Sequence, residues 1–162
     1  MQLAADLGVA LAARGWKVAT AESCTGGMIA GAITDIAGSS AWFERGFVTY
    51  SNEAKVELLG VRAETLARFG AVSEAAAREM VAGALERSRA DIAVAVSGVA
   101  GPGGGTPEKP VGLVWLAWGV RGGLTDAASR HFPGDRAAVR EATVAMALAG
   151  LTERVGPGGS NR

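Results

Sequence analysis

The stretch Ile92-Ala93-Val94-Ala95-Val96 constrains the fold of this chain more than any other segment. A continuous run of apolar residues at this length is typical of a strand that is covered on both faces. The segment 111–118 has the same character. The chain is therefore predicted to form a sheet that lies between two layers of helices.

Predicted helices and strands alternate along the rest of the chain. Apolar spacing and capping residues predict helices at 2–14, 26–36, 53–59, 62–69, from Ser73 onward and from Asp135 to about residue 154. Strands are predicted at 17–21, 43–50, 92–96, 111–118 and 127–132, the last of them short, polar and at a sheet edge. Thr25 and Asn52 are the expected N-caps of two helices. This order predicts an α/β fold, a three-layer α/β/α sandwich with a mixed central sheet.

Length and charge limit the class of protein. The 162 residues fit a single domain, expected at 1–155, followed by a flexible tail at 156–162. Sixteen basic and sixteen acidic residues give a formal net charge of zero, which argues against nucleic acid or a membrane surface as partner. Cys24 is the single cysteine, so an internal disulfide is excluded. With no signal peptide and no bilayer-length apolar run, we expect a cytoplasmic protein.

The most informative polar segment is Asn52-Glu53-Ala54-Lys55, which follows a predicted strand. It puts Lys55 in the first turn of a helix, where the helix dipole disfavours a cation and burial would lower the lysine pKa. A neutral lysine can activate a serine hydroxyl without histidine. Ser40, in the turn before the strand, is the candidate nucleophile. Spacing alone favours an ordinary solvated helix residue at Lys55, and a plain turn or cap role at Ser40 stays open.

Three other side chains in the sequence are of types that can take part in catalysis. Tyr50 ends a predicted strand and would orient the lysine amine or relay a proton, unless it is only a half-buried aromatic. Cys24 fits a small buried apolar residue better than a reactive thiol. His131, the single histidine, lacks the surroundings of a Ser–His–acid triad, and one His with one Cys cannot supply a usual metal site.

A glycine-rich loop follows the buried strand, from Ser97 to Thr106. Its spacing matches neither the dinucleotide nor the Walker fingerprint. Its N–H groups can form a nest for a phosphate or an oxyanion, and a flexible loop is the alternative. Arg136 opens the last helix and would offer a fork to a phosphate there, unless it is simply solvated.

Taken together, these segments resemble the C-terminal domain family of the competence/damage-inducible protein CinA, from about residue 2 to 154. The resemblance is carried by Ala21-Glu22-Ser23-Cys24-Thr25-Gly26-Gly27, Ala37-Gly38-Ser39-Ser40, Gly46-Phe47-Val48-Thr49-Tyr50-Ser51-Asn52-Glu53-Ala54-Lys55, Gly70-Ala71-Val72-Ser73, Ser97-Gly98-Val99-Ala100-Gly101-Pro102-Gly103-Gly104, Lys109-Pro110-Val111-Gly112 and Phe132-Pro133-Gly134-Asp135-Arg136.

The resemblance implies a serine–lysine amidase that hydrolyses the carboxamide of nicotinamide mononucleotide through an acyl-enzyme, giving nicotinic acid mononucleotide and ammonia. It implies the small-molecule substrate as partner, no metal or organic cofactor, a homo-oligomer, and the single-domain version of the family. The implied catalytic residues are Ser40 as nucleophile, Lys55 as base and Tyr50 as its assistant. The implied substrate-binding residues are Ser97, where other members resemble threonine, with Gly101, Gly103, Gly104 and Arg136.

Two other hypotheses stay open at this point. One is a non-catalytic pyridine-nucleotide-binding module, in which the glycine loop and Arg136 hold a phosphate and nothing is cleaved. The other is a subunit whose role is assembly, for which an exposed apolar patch would be the first sign.

Overall fold

The computed structural model describes residues 2–157, which contain six α-helices and five β-strands. The helices are α1 Gln2–Arg14, α2 Met28–Thr34, α3 Asn52–Leu59, α4 Ala63–Phe69, α5 Glu74–Glu86 and α6 Arg136–Val155. The strands are β1 Val18–Glu22, β2 Phe43–Val48, β3 Ile92–Gly98, β4 Leu113–Val120 and β5 Thr125–His131. A short 3₁₀ helix, Ser39–Ala41, precedes β2. Most of the predicted tail, from residue 158 on, lies outside the described residues.

The strands form one mixed sheet in the order β2-β1-β3-β4-β5. β1 runs parallel to both of its neighbours, whereas β4 and β5 pair antiparallel to the strands before them. The polar strand β5 lies at an edge, as its composition predicted. The predicted α/β/α sandwich with a mixed sheet is confirmed.

The two faces of β3 explain its continuous apolar sequence. Ile92, Val94 and Val96 pack with α1, α2 and α6, while Ala93 and Ala95 pack against the layer of α3 and α5. Burying each of the larger aliphatic side chains contributes about 1.5–3 kcal/mol. The alanines keep the second face shallow, so α5 approaches the sheet closely. This second layer carries Lys55.

Two predicted helix caps are wrong. Thr25 does not cap α2, because its hydroxyl donates to the carboxylate of Glu22, which itself accepts from the N–H groups of Ile29 and Ala30. Asn52 is the first residue of α3 and not its cap, since the Ser51 hydroxyl accepts from the N–H of Ala54. The predicted caps Ser73 and Asp135 are confirmed by their bonds to the third residue beyond.

The parallel strands β1, β2 and β3 all end at one edge of the sheet. β2 lies on one side of β1 and β3 lies on the other, although all three strands run in the same direction. The switch point of the sheet is therefore between β1 and β3. Ligands of open α/β sheets bind at such a switch point, outside the carboxyl ends of the strands.

Among residues 2–157, no helix has both the length and the apolar character needed to cross a bilayer.

Candidate active site

Lys55 is a buried amine at this edge of the sheet. Its side chain lies in the first turn of α3, and the residue is only 1% exposed. The Nζ atom lies 2.9 Å from the Thr49 carbonyl oxygen, 3.2 Å from the Tyr50 carbonyl oxygen and 3.0 Å from Ser23 Oγ. Burial lowers the pKa of Lys55 below the ordinary 10.5, and the nearby Cys24 thiol opposes this only in part.

The three partners of this amine are all oxygen atoms, so they accept from its charged form and can also serve its neutral form. An uncharged amine has two N–H donors and one lone pair, whereas an ammonium has three donors and no acceptor. In the charged form the third N–H donates to Ser23 Oγ; in the neutral form the two carbonyl oxygens take both N–H donors, which leaves the lone pair for the Ser23 hydroxyl to donate to. The arrangement is that of a base beside an alcohol.

Ser23 follows the last residue of β1 and begins a tight turn into α2. Its N–H donates to the Val96 carbonyl at 3.1 Å, which ties the turn to β3. Its own carbonyl accepts from the N–H of Gly26 at 3.1 Å. A serine on a sharp strand–turn–helix connection presents its hydroxyl at the edge of the sheet, a geometry that hydrolases use for nucleophiles.

Ser23 lines a cleft of about 330 Å³, a size within the range of small-molecule sites. The walls come from the Ser23 turn, the end of β3, the glycine loop and the segment before α5: Ser23, Cys24, Tyr50, Val72, Gly98, Val99, Ala100, Gly101, Gly103, Gly104 and Arg136. Gly101, Gly103 and Gly104, the glycines expected to bind substrate, thus line the same cleft as Ser23. Among residues 2–157, the backbone N–H groups of Gly101, Gly103 and Gly104 have no protein acceptor.

Arg136 closes one side of the cleft. Its Nη1 donates to the Gly101 carbonyl at 2.8 Å and its Nη2 donates to the Tyr50 hydroxyl at 3.1 Å. An arginine has five N–H donors, so these contacts leave three for a ligand. Beyond Arg136 lies a second hollow of about 440 Å³, lined by Pro102, Val111 and the residues that open α6. Arg136 therefore reaches both spaces.

Cys24 lies in the cleft wall but is not a reactive thiol. Burial raises the pKa of Cys24 to about 11, against the lowering effect of the N–H groups of Cys24 and Gly98. At neutral pH the sulfur is protonated and a poor nucleophile. This agrees with the expectation of a small buried apolar residue.

The structure places Ser40 far from Lys55, and the expected pairing of the two is not among the hydrogen bonds of the Lys55 amine within residues 2–157. Ser40 is exposed in the 3₁₀ helix that precedes β2, whereas Lys55 lies after the end of that strand. β2 has six residues, and at about 3.3 Å per residue it separates the two ends by roughly 20 Å. The hydroxyl that meets the amine is that of Ser23.

Tyr50 takes part in the site differently from the prediction. Its backbone carbonyl, not its phenol, accepts from the Lys55 amine, and the phenol is exposed and bonded to Arg136, with the residue 61% exposed.

Ser97 is buried on β3, one residue before Gly98 of the cleft wall. His131 lies at the end of β5 with Nε2 at 2.8 Å from the Val111 carbonyl oxygen, away from the cleft. In residues 2–157, no group of three His, Cys, Asp or Glu side chains is arranged to hold a metal ion.

Distance along the chain does not point to Ser23, because Ser23 and Lys55 are 32 residues apart. Ser40 is nearer to Lys55 along the chain, but it lies at the amino end of a parallel strand. The signal that identifies Ser23 is its place directly after β1, as Thr49 and Tyr50 come directly after β2. Residues that follow parallel strands meet at one edge.

Fold and site together define an α/β/α domain with a buried lysine–serine pair at the switch point of its sheet. The sequence profile of the CinA C-terminal domain family matches residues 1–155, and the chain belongs to that family.

Similar proteins carry more specific names. A nicotinamide-nucleotide amidohydrolase, PncC, of Escherichia coli (strain K12) is 59% identical over 154 residues, which is 95% of this chain and 93% of that protein. The PncC of Pseudomonas putida is 56% identical, over 93% of this chain and 94% of that protein. The crystal structure of the competence/damage inducible protein CihA from Agrobacterium tumefaciens superposes with a TM-score of 0.92 at 54% identity, over 94% of this chain and 93% of that one.

Proposed function

We propose that this protein is a nicotinamide-nucleotide amidohydrolase, which converts nicotinamide mononucleotide and water into nicotinic acid mononucleotide and ammonia. The observation that carries the proposal is the 3.0 Å contact between the buried Lys55 amine and the Ser23 hydroxyl at the wall of a ligand-sized cleft. The names of relatives that are 59% and 56% identical over nearly the whole chain support the substrate.

In the first half-reaction, Ser23 Oγ attacks the carboxamide carbon while Lys55 Nζ takes the hydroxyl proton. The carbonyl π-electrons move to oxygen and give a tetrahedral oxyanion. Donors for this oxyanion come from the backbone around the cleft, where the N–H groups of Gly101, Gly103 and Gly104 have no protein acceptor among the described residues. Losing one such donor typically costs about 10²–10³ in turnover.

Collapse of the tetrahedral species breaks the C–N bond. Lys55 returns its proton to the leaving nitrogen, so ammonia departs as a neutral molecule and Ser23 is left as an ester. In the second half-reaction a water attacks this ester, and Lys55 again takes a proton. Lys55 returns this proton to Ser23 Oγ as the ester C–O bond breaks, which releases the carboxylic acid and restores the serine hydroxyl. Apart from the attacking water, each step uses groups of the chain and the substrate.

The phosphate of the substrate is assigned to Arg136. Three N–H donors of this guanidinium have no protein acceptor among residues 2–157, and the side chain borders both hollows. The carboxamide would then enter the Ser23 side, and the glycine loop would lie along the ribose. Because Arg136 also holds Tyr50 and Gly101, phosphate binding and the shape of the cleft mouth are linked.

The competing hypothesis is a pyridine-nucleotide-binding module without catalysis. Arg136 and the glycine loop suit either function. A buried amine is different, because desolvation makes it costly to fold, and binding alone gives no reason to place it against a hydroxyl. This contact favours the enzyme.

We also propose the cytoplasm as the location and a homo-oligomer as the assembly. The single cysteine, left free, suits a reducing compartment. Leu3 and Val9 of α1 are exposed apolar side chains and are candidate contacts with a second copy. Light scattering at micromolar concentration tests the assembly, and a monomer mass at all concentrations would contradict it.

A coupled ammonia assay tests the activity. Nicotinamide mononucleotide, the dinucleotide and free nicotinamide are each offered to the wild type and to Lys55→Met, a replacement of similar length without the amine. We expect ammonia from the mononucleotide with wild type alone. Saturable nucleotide binding without ammonia over hours would instead support the binding module.

A further inference from the structure

Glu22 is a fully buried carboxylate directly before Ser23. The residue is 0% exposed, and none of the ion pairs within the described part of the chain involves it. Its Oε1 accepts from Thr25 Oγ1 at 2.5 Å, from the Gly27 N–H at 3.2 Å and from the Ile29 N–H at 2.9 Å. Its Oε2 accepts from the Ala30 N–H at 2.9 Å.

These four donors come from the turn that bears Ser23 and from the start of the helix that follows it. Thr25 lies within the turn, while Gly27, Ile29 and Ala30 form the start of α2, whose own N-cap residue makes no side-chain bond. Every partner of the carboxylate is a donor, so an uncharged amide in its place would set one N–H against another. The side chain therefore fixes the path of the chain from β1 through the turn into the helix.

A second group holds the same turn from outside. Arg140 of α6 donates through Nε to the Cys24 carbonyl at 3.1 Å and through Nη2 to the Thr25 carbonyl at 3.3 Å. Between these two restraints the turn has little freedom. The direction of the Ser23 side chain toward the Lys55 amine depends on that rigidity.

We infer that Glu22 is a positioning residue for the reaction: its carboxylate locks the turn from Ser23 to Gly27 so that the Ser23 hydroxyl stays within reach of Lys55. The inference rests on the proposed function, in which Ser23 is the nucleophile. Glu22 is not a hydrogen-bond partner of Lys55 and is not among the residues that line the cleft. A displacement of about 1 Å at a reacting group can cost about 10² in rate.

The experiment compares kcat and KM for nicotinamide mononucleotide in Glu22→Gln, with the exposed Glu57→Gln on α3 as the matched control. We expect Glu22→Gln to lower kcat by about 10²-fold with KM changed by less than about threefold, since the phosphate contacts are untouched. Glu57→Gln should match the wild type. A Glu22→Gln enzyme with kcat within twofold of the wild type overturns the inference.

Thr25 provides a milder variant in case Glu22→Gln folds poorly. Thr25→Val removes one donor to the carboxylate at nearly constant volume, and Thr25→Ser keeps it. We expect kcat to fall about tenfold in Thr25→Val and to return near the wild-type value in Thr25→Ser. Equal loss in both variants would indicate packing alone and would contradict the positioning role.

A third measurement is independent of turnover. Cys24 is the single cysteine, it lies in this turn and it is only 6% exposed. Burial raises the pKa of the Cys24 thiol and the Glu22 charge raises it further, so the rate of labelling by a thiol-reactive disulfide is measured over a range of pH and divided by the thiolate fraction. This corrected rate reports on access to the turn, and we expect it to rise at least about tenfold in Glu22→Gln. If the wild type releases no ammonia, the proposed function fails, while an unchanged corrected rate in Glu22→Gln contradicts the positioning inference separately.

Discussion

At Lys55, opposing effects act on one amine. The carbonyl oxygens of Thr49 and Tyr50 favour the charged form, and the loss of water favours the neutral one. No carboxylate lies among the hydrogen-bond partners of the amine within residues 2–157, so desolvation prevails and the pKa is lowered. The result is a base available closer to neutral pH than an ordinary lysine, whose pKa is 10.5.

This difference predicts the pH dependence of the reaction. Lys55 accepts a proton only when it is neutral, so kcat/KM should rise with pH and reach a plateau above the lowered pKa. The midpoint of the rise should fall clearly below 10.5. Ammonia release measured from pH 6 to 10 checks this, and a rise that continues as for a solvated lysine would contradict the assignment of the base.

Cys24 gives a second test at the residue scale. Its sulfur lies in the cleft wall beside Ser23, so a thiol mechanism is the nearest chemical alternative. With its pKa raised to about 11, the thiol should play no part, and Cys24→Ala should retain turnover within about threefold. Loss of activity by several orders of magnitude in that variant would show that Cys24, and not Ser23, is the nucleophile.

At the scale of secondary structure, parallel strands decide which side chains meet. β1 and β2 run in the same direction, so the residues after both strands share one edge and the residues before them share the other. Lys55 reaches Ser23 across the first edge. Ser40 lies at the second, beside the start of β1, where Val18 bonds to the Trp42 carbonyl.

Much of this level was predictable from sequence. The continuous apolar run at 92–96 predicted a strand buried on both faces, and Ser73 and Asp135 marked real helix starts. Lys55 was identified because its place in the first helical turn has a direct electrostatic consequence. Ser23, which contacts Lys55, was not identified. A contact between residues far apart in sequence depends on strand order and direction, and local sequence patterns do not encode these. The cap at Thr25 failed for a similar reason, since Glu22 competes for the same donors from outside the helix.

The contact between α3 and α5 offers a test at this scale. Gly83 of α5 lies so close to α3 that an added Cβ would stand 1.9 Å from the Leu59 carbonyl oxygen. We expect Gly83→Ala to lower the free energy of unfolding by about 1–3 kcal/mol and to reduce kcat, because α3 carries Lys55. Chemical denaturation and the ammonia assay measure the two effects.

Gly31 of α2 is the control for this variant. It is also a helical glycine, but an added Cβ would meet no atom within 4 Å. Gly31→Ala should raise stability by up to about 1 kcal/mol through helix propensity alone. Similar changes in the free energy of unfolding for Gly83→Ala and Gly31→Ala would contradict the close contact between Gly83 and Leu59.

For the whole molecule, the site and the stability of the fold are coupled through one buried amine. The folded protein binds a proton at Lys55 less readily than the unfolded chain does, since its folded pKa is lowered from 10.5. Between the lowered pKa and 10.5 the unfolded chain holds more protons, so stability rises with pH in that window. Below the lowered pKa both states are protonated, and the folded state bears the full cost of a buried charge.

This linkage predicts a pH-dependent difference between wild type and Lys55→Met. The free energy of unfolding of the wild type should gain on that of the variant as pH rises through the lowered pKa toward 10.5, by at most about 1.4 kcal/mol per pH unit. Below the lowered pKa, Lys55→Met should be at least as stable as the wild type although it is inactive. Parallel stability curves for the two proteins would mean that the amine is solvated.

The matched serine variants test the central claim most directly. Ammonia release from nicotinamide mononucleotide is measured for Ser23→Ala and Ser40→Ala, with circular dichroism to establish that both remain folded. The account predicts that Ser23→Ala loses at least about 10³ in kcat, since the nucleophile is removed, whereas Ser40→Ala stays within twofold of the wild type. Retained turnover in Ser23→Ala, or its loss in Ser40→Ala, would contradict it.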